Sequence, residues 1–185
     1  MNEIHTFVVY VEDRPGVLNR VASLFRRRAF NIESLTVGHT ERPGVSRMTI
    51  AVQADEIGAQ RIEAHLYKLM NVISVEDITT WPSVLRDLAM IKVAANQESR
   101  GEIMQLVDVF RARVVDVAPD SLVIEITGTE DKIDSLLEVL RPYGVVEMVR
   151  TGRVAITRGT KAGVAATAAR PATSSSDEPN ISYSV

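Results

Sequence analysis

Cysteine is absent from all 185 residues, which removes disulfides, thiolate zinc sites and cysteine nucleophiles together. No apolar run approaches the roughly 20 residues of a membrane span. The first strand pattern begins by Ile4, leaving no room for a signal or transit peptide. The compartment expected from this is the cytoplasm, most naturally a bacterial one. A large excess of one charge is missing too: 21 Lys and Arg face 24 Asp and Glu, a net charge of -3. Neither nucleic acid nor an acidic membrane is therefore an electrostatically favoured partner. Hydrophobic residues are plentiful at 45%, enough for the core of one ordinary domain or two small ones.

The chain opens on "IHTFVVYV", where Phe7, Val9 and Val11 share one face at period two, so residues 4 to 11 read as a strand. A marked turn follows. Asp13 suits a helix cap and Pro15 a first helical turn, and Val17, Leu18, Val21, Leu24 and Phe25 recur on one side at helical spacing. Arg26, Arg27 and Arg28 complement the helix C-terminus. "NIESLTVGH" reads as a second strand, "ERPG" as a turn and "VSRMTIAVQ" as a third strand with Met48, Ile50 and Val52 on one face. A second helix starts at a capping Asp55 and turns Ile62, Leu66 and Leu69 inward, and "VISVEDIT" is a fourth strand. The order is βαββαβ.

After "TWPSVLRD", which breaks the periodicity, the pattern starts again. A shift of 85 positions lays "VFRARVVDV" on "LFRRRAFNI" and places Gly101 on Gly16, Glu98 on Asp13 and Asp116 on Asn31. Two tandem ferredoxin-like βαββαβ domains in the α+β class are expected, at residues 4–79 and 87–158, with a linker at 80–86 and a disordered small-residue tail at 159–185. Val8, Tyr10 and Ala51 leave the second face of the first sheet apolar, so a homodimer covering that face or an open edge is expected.

Chemistry is sparse. His5, His39 and His65 lie far apart without metal-ligand spacing, and the pairs Asp55-Glu56, Glu76-Asp77 and Glu130-Asp131 fall where capping and solubility account for them. No catalytic constellation and no metal site emerge. The RNA-recognition module shares the split βαβ plan, but its third strand needs stacking aromatics and "SRMTIAV" has none. The loop "EDRPGVL" stands apart. Gly16 permits close approach to backbone, and the N–H groups of Gly16, Val17 and Leu18 lie at the positive end of a helix, suited to a carboxylate. Asp13 and Asn31 could accept from an ammonium, and Val17, Leu18 and Ile32 offer apolar surface. A free α-amino acid with a short branched side chain fits, and so does a plain helix-start turn.

"HTFVVYVEDRPGVLNRVASLFRRRAFNIESLTVG", "SRMTIAV" and "LVDVFRARVVDVAPDSLVIEITG" resemble the small regulatory subunits of acetolactate synthase, over residues 4 to 159. The resemblance implies an N-terminal ACT domain, the ligand-binding form of this plait, and a related C-terminal domain. It implies no catalysis by this chain and no cofactor of its own. The large catalytic subunit, which carries thiamine diphosphate, magnesium and FAD, would be the partner, activated by this chain and made sensitive to valine or related branched-chain amino acids. The effector would sit between two ACT domains, held by the loop after the first strand and the start of the second: Asp13, Gly16, Val17, Leu18, Asn31 and Ile32. A free-standing ACT sensor acting on another enzyme is the alternative.

Overall fold

The computed structural model describes residues 3–159. The tail expected to be disordered lies outside this range from residue 160 on. Four strands, β1 (Glu3–Glu12), β2 (Ile32–His39), β3 (Val45–Ala54) and β4 (Val72–Asp77), form an antiparallel sheet in the order β2-β3-β1-β4. Helices α1 (Val17–Arg27) and α2 (Glu56–Leu66) cover one face. Phe7, Val9 and Val11 of β1 and Met48, Ile50 and Val52 of β3 meet Val21, Leu24 and Phe25 of α1 and Ile62 and Leu66 of α2 in one buried core. Each such side chain contributes about 1.5–3 kcal/mol by leaving water. Asp55 caps α2 as expected, accepting from the Gly58 amide at 2.7 Å.

The plan repeats. β5 (Ser83–Ala94), α3 (Ser99–Val109), β6 (Arg113–Val117), β7 (Ser121–Gly128), α4 (Glu130–Leu140) and β8 (Val145–Arg150) build a sheet ordered β6-β7-β5-β8, and a short β9 (Val154–Thr157) also pairs with β5. Ile91, Ile103, Ile124, Ile126, Ile133 and Leu136 lie at the centre of the second core. The expected fold, two βαββαβ plaits, is the one observed.

Four local expectations are corrected. Pro15 and Asp13 stay outside α1: Gly16 holds the N-cap position with φ of 84° and gives no side-chain cap. Leu18 turns outward, 44% exposed, because Val17, Val21, Leu24 and Phe25 already fill the buried stripe. Residues 83–86, inside the stretch read as a linker, are the start of β5 and pair with β9. The repeat runs at 82 positions, not 85. Both first helices end through a left-handed residue, Ala29 and Arg111, each followed by an amide bonded back to a carbonyl five residues earlier: Phe30 to Phe25 and Ala112 to Val107. Phe25 therefore corresponds to Val107, and Gly16 to Glu98.

The apolar second face of the first sheet also finds a different cover. Val8, Ile78 and Ala155 form a small buried cluster with Tyr10 and Leu85 packed on it, and Arg47 donates to the Ala155 carbonyl at 2.5 Å. Strand β9 of the same chain thus covers part of the surface expected to need another copy.

Candidate functional site

The loop between β1 and α1 is held at its base. The Asp13 amide donates to the Gly44 carbonyl at 2.8 Å and the Glu12 amide to the Asn71 carbonyl at 2.9 Å. Gly16 then swings into the left-handed region, and the first helical bond runs from the Arg20 amide to the Gly16 carbonyl at 3.1 Å. The Leu18 and Asn19 amides precede the first full helical turn, and a glycine cap has no side chain to satisfy them. A Cβ built on Gly16 meets nothing within 4 Å. The result is an open backbone cradle at the positive end of α1, matched to a carboxylate.

The Asp13 carboxylate points elsewhere. It accepts from Ser46 Oγ at 3.3 Å and lies 3.4 Å from His39 Nδ1, at the foot of the β2–β3 hairpin. Asn31 is likewise engaged, its Nδ2 donating to Glu33 at 2.8 Å, and Ile32 packs partly into the first core. The six expected residues fall into two groups. Glu12 pairs with Val45 and Ile32 with Val52, so the groups stand at opposite ends of the sheet, roughly 23 Å apart at ~3.3 Å per strand residue. One chain cannot close both around a single amino acid. Val37 escaped the sequence reading: 42% exposed, it pairs with buried Met48 and so lies on the helix side of edge strand β2. Its exposure depends on β2 being outermost, which only the strand order reveals.

The second half offers no equal cradle. Its helix α3 has Glu98 at the N-cap with φ of -79°, and Gly101 lies inside the helix. Asn96 instead takes the amides of Glu98 and Ser99 at 3.0 and 2.8 Å. These amides, which answer to those of Gly16 and Val17, are thus occupied, and the Arg100 amide, which answers to that of Leu18, donates to the Asn96 carbonyl at 3.1 Å.

Between the halves lies a cavity of about 450 Å³ lined by residues including Ser34, Leu35, Asp87, Glu130, Arg150 and Arg153. The Arg150 guanidinium binds buried Asp87 through two nitrogens at 3.0 and 2.7 Å. The Arg153 amide donates to Ser34 Oγ at 2.6 Å, so the loop before β9 reads the middle of β2. A further group, Glu3 and His5 of β1 and Glu56 of α2, converges from two elements; spacing along the chain gave no sign of it.

Family comparisons agree with this architecture. Residues 7–74 match the model described as AHAS small subunit-like ACT domain, and residues 86–159 match that of the small subunit of acetolactate synthase. A protein of Archaeoglobus fulgidus described as "probable acetolactate synthase small subunit" is 54% identical over 85% of this chain and 98% of its own length. The acetolactate synthase small subunit of Mycolicibacterium smegmatis is 51% identical over 84% and 91%. The chain belongs to the acetolactate synthase small-subunit family. The crystal structure of the Thermotoga maritima acetolactate synthase small subunit superimposes with a TM-score of 0.80 at 40% identity, covering 85% of this chain and 99% of that one. As a family member the chain is a regulatory subunit of the enzyme, in branched-chain amino acid biosynthesis. Among the described residues no helix is long and apolar enough to cross a membrane.

Proposed function

We propose that this small subunit activates the large catalytic subunit in the cytoplasm and confers feedback inhibition by valine, bound between two copies of its N-terminal half, residues 4–79. The observation that carries the reading is the separation of the two residue groups on one sheet. β2 is an outermost strand, and outermost strands invite pairing. Two β2 strands paired antiparallel about a two-fold axis bring the His39 end of one against the Ile32 end of the other. Asp13, Gly16, Val17 and Leu18 of one copy then face Asn31 and Ile32 of the other, twice per dimer. The free amides take the effector carboxylate, Leu18 and Val37 offer apolar surface, and carboxamide or carboxylate oxygens take the ammonium.

Thiamine diphosphate, magnesium and FAD belong on the catalytic subunit in this reading, and no step of the chemistry falls to this chain. Valine acts by favouring one arrangement of the pair, since a ligand shifts an equilibrium only through differential affinity. The loop of residues 151–153 against β2 gives that arrangement a route to the second half. The test is acetolactate formation by the matching catalytic subunit with and without this chain, across a valine titration. Stimulation that valine reverses supports the proposal. Valine binding without any effect on the rate would make the chain a free-standing sensor.

A further inference from the structure

His5 is one of the few polar residues in the first half to be buried, at 2% exposure, and it lies on the core side of β1 with its ring 6.3 Å from that of Phe7. Its Nδ1 is 2.8 Å from Asp77 Oδ2. A carboxylate only accepts, so Nδ1 carries the hydrogen and the lone pair of the neutral ring falls on Nε2. That second nitrogen has no hydrogen-bond partner. Asp77 is itself fixed: its Oδ1 accepts from the Thr79 amide at 2.9 Å and from the Thr79 hydroxyl, and Thr79 Oγ1 in turn accepts from the Thr6 amide at 2.9 Å. The ring is therefore aimed as well as buried.

It is aimed at two carboxylates. Glu3 Oε1 is 3.7 Å from Nε2, and the ligand atoms of Glu3, His5 and Glu56 all lie within 4.8 Å of one another. Glu3 and Glu56 are both exposed, so side-chain rotation alone can draw their oxygens to the ~2.0–2.2 Å of a zinc–oxygen bond. Nearby on α2, burial first and the charge of Asp77 second push the Glu63 carboxyl above its ordinary value.

We propose that Glu3, His5 Nε2 and Glu56 form a binding site for a divalent first-row transition ion of the zinc class, with Asp77 as the outer group that orients the imidazole. One neutral nitrogen and two carboxylate oxygens suit such an ion and neutralise its charge. A histidine whose other ring nitrogen donates to a carboxylate is the usual arrangement behind a metal ligand. The ion ties the first residues of β1 to the start of α2, next to the exit from β4 towards the second half. The site lies at the opposite end of the sheet from the Gly16 loop and level with Ile32, since His5 and Ile32 both pair with Val52.

The test uses the full chain without an affinity tag, stripped of metal and titrated with zinc by equilibrium dialysis and with cobalt by visible absorption. One ion per chain is expected, with an imidazole ¹⁵N shift at His5 Nε2 and a raised melting temperature. Glu3→Gln and Glu56→Gln change exposed side chains that the fold does not need, and each is expected to weaken binding at least about tenfold. His5→Gln is expected to abolish binding, and His39→Gln to leave it unchanged. Saturation only above about 1 mM zinc, or binding by both glutamine variants equal to that of the native chain, overturns the proposal and leaves His5 as an ion-paired core residue.

Discussion

Gly16 is the position where one residue decides between a turn and a binding loop. At φ of 84° any L side chain is strained, at about 1–2 kcal/mol. Gly16→Ala should therefore lower the melting temperature, although its Cβ meets nothing within 4 Å. Aspartate tolerates the left-handed region better than most residues, so Gly16→Asp should fold and stimulate the catalytic subunit. Its carboxylate would occupy the place of the effector's own. The expected result is at least about a tenfold loss of valine affinity, read by calorimetry beside the activity assay; unchanged inhibition would remove the loop from the site. Glu63 supports a second prediction. Burial, reinforced by Asp77, raises its folded value above the 4.5 of an ordinary glutamate. The stability that its neutral form contributes is full below the unfolded value and is lost as pH rises through the folded one. In metal-free buffer Glu63→Gln should thus melt higher than the native chain at pH 7 and alike below pH 4, by less than about 1 kcal/mol after solvent screening. A difference that grows towards low pH would contradict the sign.

At the scale of elements most of the molecule was legible. Period-two runs gave β1 and β3, helical spacing gave α1 and α2, and Asp55 marked the start of α2. In the offset of the repeat, likeness of letters and likeness of backbone disagree. "LFRRRAFNI" and "VFRARVVDV" align best at 85, yet the helix ends at Ala29 and Arg111 set 82, and only the backbone shows that Glu98, not Gly101, answers to Gly16. Pro15 suggested a helix start because proline favours that position, but a left-handed glycine must come between it and the helix. The split between β8 and β9 was hidden because "RTGRV" carries no apolar period. Its glycine turns out to be a packing requirement: a Cβ on Gly152 would stand 2.7 Å from the Leu35 carbonyl oxygen and 2.6 Å from Thr36 Oγ1. Backbone cannot yield as a side chain can, so Gly152→Ala should cost about 1–3 kcal/mol by overpacking. It should also weaken the transmission of valine binding while leaving binding itself intact, a combination that paired calorimetry and inhibition curves would detect. Loss of both together would place Gly152 in the cradle instead.

For the whole molecule the governing fact is that the cradle and its expected complement sit at opposite ends of one sheet. Neither composition nor motif spacing exposes such a fact, because it depends on which strand is outermost and on register. If the effector bridges two copies, its binding and dimerisation are linked, and each strengthens the other by the same factor. Valine should therefore raise the dimer fraction in sedimentation velocity near the dimer dissociation constant, and apparent valine affinity should rise with protein concentration. Val37 tests the geometry. It is exposed on the helix side of the outermost strand and makes no part of the buried core, so Val37→Lys should leave the monomer's stability within about 0.5 kcal/mol of native. In the pair it places two like charges, one from each copy, on the shared β2–β2 contact. The expected outcome is a weaker dimer and a valine affinity reduced in the same proportion, with His5, far along the sheet, still binding zinc. A variant that dimerises weakly but binds valine as the native chain does would mean that one copy suffices for the site, and that the separation of Gly16 from Asn31 had been given the wrong meaning.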